Sequence, residues 1–324
     1  MASTELLALL ADGEFHSGQA LADALGVSRT AVWKQLHKLE ELGLAAESSK
    51  SKGYRIAGGV DLLDKAAILA GLSAPGRALL SELDLHTQID STNAEAMRRV
   101  ESGARAGLVC MAEQQTAGRG RRGRKWVSPF ASNIYMSLVW EFEGGAAALE
   151  GLSLAVGVAI TDALASCDIP HLELKWPNDV MYKGRKLGGI LIEMVGDPAG
   201  TCQVVVGVGL NVRMPHKAAA DIDQQWIDIA SLVEATPGRN TLAAAILDGL
   251  LLLMPEFASK GFAPWREKWA HRDAFLGKPV IVHSGPREVA GTVAGINESG
   301  ALLLDIGGTI QVFNGGEVSL RPTT

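Results

Sequence analysis

The sequence predicts a mixed α/β chain, of the α+β kind, built from three units, and three features of its residue order predict it. The first sixty residues carry three short helical patterns and a hairpin. From about residue 84, β-rich runs alternate with longer helical stretches. Beyond about residue 272 only short strands remain, separated by Gly, Asn and Ser turns. The boundaries are therefore set at 1–60, 61–272 and 273–324. A chain of 324 residues, 47% hydrophobic and 20% charged, is long enough to bury a large core and divide into domains.

In the first unit, "TELLALLADGEF" has the apolar spacing of a helix that ends near Gly13, and "SGQALADALG" opens a second at Ser17 and closes it at Gly26. In "VSRTAVWKQLHKLEELG", Ser28 caps a helix with Val32, Leu36 and Leu39 on one side, while Arg29, Lys34, His37 and Lys38 lie elsewhere on it. Two helices joined by a tight turn containing glycine make a helix-turn-helix, its second helix placed to enter a major groove. "AAESSKSKGYRIAGG" follows as a hairpin with Lys50, Lys52 and Arg55 near its tip, which makes the motif a winged one. A plain trihelical packing module is the alternative. The positive charge on the second helix and the hairpin favours phosphate contact.

Global charge excludes some classes. A net charge of -6 and a pI near 5.7 argue against a polyanion-binding surface as a whole, so any nucleic-acid contact comes from a local patch. Cys110, Cys167 and Cys202 are odd in number and far apart, which points to a reduced, cytoplasmic setting. "MASTELLALL" lacks a basic leader region, and polar residues bound the apolar runs "SLAVGVAI" and "LLLLM" before they span a bilayer. No membrane partner is expected.

After glycines that suit a linker, a capped helix begins near Asp61 or Asp64. The longest helix expected is "LEGLSLAVGVAITDALASC". Between two strand-like runs, "LVCMAEQQ" and "NIYMSLVW", lies a segment with five basic residues in seven positions, Arg119 to Lys125. Ile134, Met136 and Leu138 alternate with Asn133, Tyr135 and Ser137, as in a half-buried strand, and alternation puts Glu113 and Gln115 on one face. The basic segment is thus a loop between strands. Gly118, Gly120 and Gly123 let its backbone approach a ligand, and its arginines supply bidentate donors for phosphate or carboxylate oxygens. A solvated nucleic-acid-binding loop is the other reading of the same composition.

The segment "GRGRRGRKW", with "DSTN" before it and "KWPND", "GRKLGGIL" and "GVGLN" after it, resembles the biotin protein ligases, and with the N-terminal winged helix it resembles their bifunctional form, biotin ligase and biotin operon repressor. The resemblance covers essentially the whole chain in the right order. It implies a central domain related to class II synthetases, with a small SH3-like barrel at the C-terminus. It further implies a two-step reaction: biotin and MgATP give biotinyl-5'-AMP and pyrophosphate, and a lysine of the biotin carboxyl carrier protein of acetyl-CoA carboxylase then takes the biotin and releases AMP.

That chemistry brings anions together, so fixed cations and Mg²⁺ are required. Arg119, Arg121, Lys175 and Lys186 are the candidates. The resemblance gives Arg121 a part in holding the adenylate and sets Lys186 between biotin's carboxylate and the α-phosphate; strand alternation aligns Lys186 with Gly188, leaving room for a ligand. Ser91, Thr92, Asn93 and Gln115, with Arg119 and Gly120 of the loop, are implied biotin contacts. "DSTN" is equally suited to capping the helix "NAEAMRRVES". In "QVVVGVGLNV", Gly207, Gly209 and Asn211 share one strand face and Val204, Val206, Val208 and Leu210 the other, leaving the first open to a flat nucleotide. Asn178 and Asn211 are implied to line the nucleotide site and Trp126 to pack on the adenine, though a core role for Trp126 is open. Asp179 is a candidate for Mg²⁺, and the metal ligands stay unassigned.

The resemblance also implies a loop that orders over the adenylate, a homodimer formed with biotinyl-5'-AMP as corepressor, and binding to operator DNA, with Arg29, Thr30, Lys34 and the hairpin contributing. A ligand-sensing regulator without ligase chemistry is the competing function, and a lipoate ligase the competing enzyme.

Overall fold

The computed structural model describes residues 4–196, 200–220, 222–284, 287–315 and 318–322; Met1–Ser3 of the first segment and Gly316 and Glu317 of the last strand-like run fall outside them. Helices α1 (Thr4–Leu10), α2 (Gly18–Leu25) and α3 (Arg29–Glu41) lead the chain. Ser17 and Ser28 cap α2 and α3 by accepting from the N–H groups of Ala20 and Ala31, and Gly26 closes α2 at φ 62°. Leu6, Leu7, Leu10, Leu21, Val32, Leu36 and Leu39 are buried together. Strands β1 (Ala46–Ser49) and β2 (Gly53–Ile56) pair antiparallel as the wing. Its tip differs from the sequence expectation: Arg55 sits inside β2 opposite Glu47, ion-paired with it at 2.8 Å and 4.5 Å from the Phe15 ring. Lys50 and Lys52 remain at the turn.

Asp64 caps α4 (Lys65–Ala70), while Asp61 accepts a hydrogen bond from the Arg239 N–H. Next come α5 (Ala74–Leu79), β3 (Glu82–His86), α6 (Thr92–Glu101), β4 (Leu108–Ala112), β5 (Ile134–Phe142), α7 (Leu152–Ala165) and β6 (Glu173–Lys175). The central unit closes with β7 (Asp179–Tyr182), β8 (Arg185–Gly196), β9 (Cys202–Leu210), α8 (Arg239–Lys260) and α9 (Ala263–Ala270). The seven strands lie in the order β3-β4-β5-β9-β8-β7-β6, parallel at β3–β4 and antiparallel at the other pairings. Strand β5 is buried on both faces rather than half-buried, because Val139 packs with Ala96 and Val100 of α6 while Met136 and Leu138 join the core under α7 and α8.

The helix expected to be longest, α7, has 14 residues, and α8 has 22. By length and composition α8 and the segment Gly145–Ala165 are apolar enough to cross a membrane, contrary to the sequence reading. Both pack against the sheet, and Leu242, Ile246, Leu247, Leu250, Leu251 and Met254 of α8 are buried.

Strands β10 (Pro279–Ser284), β11 (Arg287–Ile296), β12 (Leu302–Ile306), β13 (Thr309–Phe313) and β14 (Val318–Pro322) form an antiparallel sheet in the order β13-β12-β11-β10-β14. Its Val280, Val282, Val293 and Leu302 belong to the same apolar cluster as the central core, and Trp176 Nε1 donates to Gly300 O at 3.1 Å. At the other end, Phe130, just after the basic loop, is 3% exposed within the core of the winged helix.

Candidate active site

The basic segment folds back on itself. Trp126 N–H donates to Gly118 O at 2.8 Å and Gly120 N–H to Arg124 O at 2.7 Å, with a short 3₁₀ turn, Arg121–Gly123, at the tip. A Cβ on Gly118 would stand 2.6 Å from Trp126 O, so the close return of the chain requires glycine there.

This hairpin is one wall of a cavity of about 1080 Å³. All thirteen residues expected to serve biotin or the nucleotide line it: Ser91, Thr92, Asn93, Gln115, Arg119, Gly120, Arg121, Trp126, Asn178, Lys186, Gly207, Gly209 and Asn211. Lys175 and Asp179 do too. Sequence reading missed the cover contributed by Met214, Ile222 and Trp226, and by Leu320 of the C-terminal sheet. These residues come from segments without a motif; the pairing of Lys186 with the Gln225–Trp226 backbone brings one of them in.

Ser91 does both things its sequence allowed: it caps α6, accepting from Ala94 N–H, and lines the cavity. Asp90 instead holds Arg98 in a bidentate pair at 2.8 and 2.9 Å, which keeps its carboxyl well below the usual range. Gln115 Oε1 accepts from the Thr92 N–H at 2.8 Å and hydroxyl at 3.1 Å. Glu113, expected on the same face, is buried against Arg239. Arg119 pairs with Glu193 at 3.0 Å, and Arg121 donates to Asn178 Oδ1 at 3.1 Å. Burial pulls the Arg121 guanidinium below its ordinary pKa, a sign of a site that favours a neutralising anion.

The surroundings of Lys186 correct a strand argument. The β7–β8 register shifts between Val180 and Met181, so that Val180 faces Gly188 and Met181 faces Lys186. Alternation is broken at Leu187. Lys186 Nζ therefore lies 3.3 Å from where a Cβ on Gly189 would stand, not over Gly188. It is ion-paired with Asp179 at 2.7 Å and sits 5.3 Å from the Trp126 ring.

Gly207 and Gly209 open the face of β9 as expected, yet side chains of this chain already use the opening. A Cβ on Gly207 would overlap Asn93 Oδ1, and one on Gly209 would stand 2.5 Å from the indole of Trp126. Two buried polar atoms in the cavity wall, Trp126 Nε1 and Asn211 Oδ1, meet no protein partner. One donor and one acceptor left in this way fit a ligand with complementary groups, such as a nucleotide.

On α3, Arg29, Thr30 and Lys34 are exposed, and so is Trp33 at 52%. Asp84, His86 and Glu95 lie at metal-ligand spacing outside the cavity lining, their carboxylates paired with Arg99 and Arg98.

Comparison with known proteins gives the family. The model of the biotin/lipoate A/B protein ligase family matches residues 85–211, an HTH domain model residues 3–55, and the biotin protein ligase C-terminal domain residues 275–321. The bifunctional ligase/repressor BirA of Escherichia coli (strain K12) is 40% identical over 98% of this chain and 96% of its own length. A biotin--[acetyl-CoA-carboxylase] ligase of Paracoccus denitrificans is 39% identical over 71% of this chain and 96% of its own. A biotin protein ligase from Aquifex aeolicus, solved in complex with biotin and ATP, superposes with a TM-score of 0.65 at 27% identity, over 75% of this chain and all of that one. With all three units matched and two-fifths of the residues identical along nearly the whole length, the chain belongs to the biotin protein ligases, in their bifunctional ligase/repressor form.

Proposed function

We propose that this chain activates biotin with ATP, transfers it to a lysine of a biotin carboxyl carrier protein, and binds operator DNA as a repressor through its winged helix. The observation that carries the enzymatic half is one cavity uniting hydroxyl and amide groups around Thr92, seven basic residues, Arg121 and Lys186 among them, and the unsatisfied Trp126 Nε1 and Asn211 Oδ1.

In the first step a biotin carboxylate oxygen attacks the α-phosphorus of ATP and pyrophosphate leaves. Two anions must meet, and Lys186 and Arg121 offset their repulsion in a partly desolvated site. Lys186 exchanges its partner Asp179 for the reacting oxygens. Asn93, Thr92 and Gln115 hold the ureido ring, whose donors and acceptors match theirs, while Trp126 and Asn211 receive the base. Asp179 and Asp223, the carboxylates of the cavity wall, would hold Mg²⁺ beside the ATP phosphates, where the ion would offset phosphate charge. In the second step a neutral lysine amine attacks the acyl carbon, AMP departs and the amine loses a proton. The Arg119–Trp126 hairpin over the cavity limits hydrolysis of the anhydride between the steps.

Our reading extends to biotinyl-5'-AMP as corepressor, to a homodimer that binds the operator, and to the cytoplasm, where the free Cys110, Cys167 and Cys202 stay reduced. Biotin-dependent exchange of labelled pyrophosphate into ATP, without carrier protein, tests the adenylation. Exchange supports the ligase. Tight biotin binding with no exchange would leave the ligand-sensing regulator instead.

A further inference from the structure

Glu193 on β8 carries no motif and does not line the cavity, yet it joins two residues that do. Its Oε2 accepts from Asn93 Nδ2 at 2.8 Å and from Arg119 Nη2 at 3.0 Å. Asn93 is 4% exposed, and its Nδ2 also donates to Leu191 O at 3.3 Å. Both acceptors lie on β8, and neither a carboxylate nor a backbone carbonyl has a proton to give, so the amide of Asn93 is held in one orientation.

That orientation is passed on. Asn93 Oδ1 faces Ser137, fully buried on β5, whose hydroxyl donates to it at 2.6 Å and lies 2.9 Å from Thr92 Oγ1. Thr92 donates to Gln115 Oε1, Gln115 Nε2 donates to Ser128 Oγ at 3.0 Å, and the Ser128 hydroxyl donates to Trp126 O at 3.0 Å. A continuous polar chain thus leaves the basic hairpin at Arg119, crosses the floor of the cavity, and returns to the hairpin at Trp126. Glu193 is its only carboxylate and stands at the branch to Arg119. Its middle, Asn93, Ser137 and Thr92, is buried, and there each member's donors and acceptors constrain the next, whereas the side chains of Glu193 and Arg119 are 24% and 44% exposed.

We propose that Glu193 is a positioning residue for the ligase reaction. It sets the amide of Asn93 and the guanidinium of Arg119, and through them the biotin side of the cavity, without touching substrate. Without it the Asn93 amide loses its shorter donor bond and keeps only the 3.3 Å bond to Leu191 O and the one from Ser137, so its position slackens, and Arg119 loses its tether. On the nucleotide side, Trp126 stands at the far end of this chain from Glu193, while Asn178 and Asn211 are held by other contacts: Asn178 Nδ2 donates to Ile190 O at 2.7 Å and Asn211 Nδ2 to Ile227 O at 3.1 Å. The proposal rests on the reading of this cavity as the biotin and ATP site.

The test is steady-state transfer of biotin to a biotin carboxyl carrier domain by the full chain, with KM for biotin and for MgATP measured separately in the parent, Glu193→Gln and Glu193→Ala. Loss of hydrogen bonds to a charged acceptor is expected to raise the biotin KM of Glu193→Ala about tenfold or more. Its MgATP KM should stay within about twofold of the parent's. Glu193→Gln, which still offers an amide oxygen to Asn93, should fall between. Adding Arg119→Ala to Glu193→Ala should cost less than the sum of the two single changes, since they act through one link.

An unchanged biotin KM, or equal rises in both KM values, overturns the positioning role. Should Glu193→Ala fail to fold, the isosteric Glu193→Gln decides by the same split between biotin and MgATP. A parent that transfers no biotin at all sinks the reading of the cavity itself, whereas an active parent matched by both variants sinks this proposal alone.

Discussion

The guanidinium of Arg239 lies 2.8 Å from the carboxylate of Glu113, and neither residue is more than 5% exposed. The pair gathers three parts of the chain. Arg239 donates to Asn133 O at 2.8 and 3.1 Å and to Asp61 O at 2.6 Å, while Glu113 accepts from the Leu63 N–H at 2.5 Å. It therefore ties the linker after the winged helix to both strands that flank the basic loop. Arg239→Met would strand a buried carboxylate, and a loss of about 3–5 kcal/mol is expected in chemical denaturation. A loss below about 1 kcal/mol would be that of a surface pair and would contradict this account.

Phe130 gives the loop a second anchor, in the core of the winged helix, and Ala131 beside it adopts a left-handed φ of 49°. Truncating a buried Phe typically costs about 3–5 kcal/mol. For Phe130→Ala, hydrogen exchange should quicken in α1 and α3 as well as in the loop. Changes confined to the loop would show that the contact does not stabilise the DNA-binding unit.

Gly207 and Gly209 are two positions apart on β9 but clear space for different side chains, Asn93 and Trp126. Overpacking of this kind costs about 1–3 kcal/mol, roughly 5- to 150-fold in affinity. Gly207→Ala is expected to weaken biotin binding more than ATP binding, and Gly209→Ala the reverse, as read by titration calorimetry. The same ranking for both variants would mean that the two subsites are not separated as described.

Burial raises the Asp273 carboxyl from 3.8 to about 6, against the opposing pull of the Phe275 and Leu276 N–H groups and Lys278, and its Oδ2 is buried without a partner. A folded-state value above the unfolded one means that the native protein binds the proton more tightly. The ionised form thus costs stability above pH 6, and that cost fades as pH falls from 6 towards 3.8. Asp273→Asn should raise the melting temperature at alkaline pH and have little effect near the lower value. Equal shifts at both ends would rule out the titration as the cause.

The sequence made the winged helix legible through local chemistry, the serine caps at Ser17 and Ser28, and it placed the basic segment as a loop between strands; that Gly118 makes room for the loop's own return at Trp126 O, and not for a ligand alone, depends on a hairpin the sequence reading did not include. The helix α8 was hidden because apolar residues continue onto its exposed side, as at Leu252, and it shows little periodicity. Where Lys186 points was misread because its register is set by the partner strand β7, through a shift that nothing in "GRKLGGIL" announces. Arg55 was misplaced by counting it to the tip instead of pairing it with Glu47. Glu193, Ser137 and Arg239 carry no local signal, since their partners lie 44 or more residues away in the chain.

Intact mass spectrometry of a biotin carboxyl carrier domain, after incubation with this protein, biotin and MgATP, tests the central claim most directly. The account predicts a single biotinyl increment that requires ATP and is lost in Lys186→Met. A carrier that stays unmodified, while the protein still binds biotin tightly, would contradict the ligase and every catalytic role assigned to the cavity.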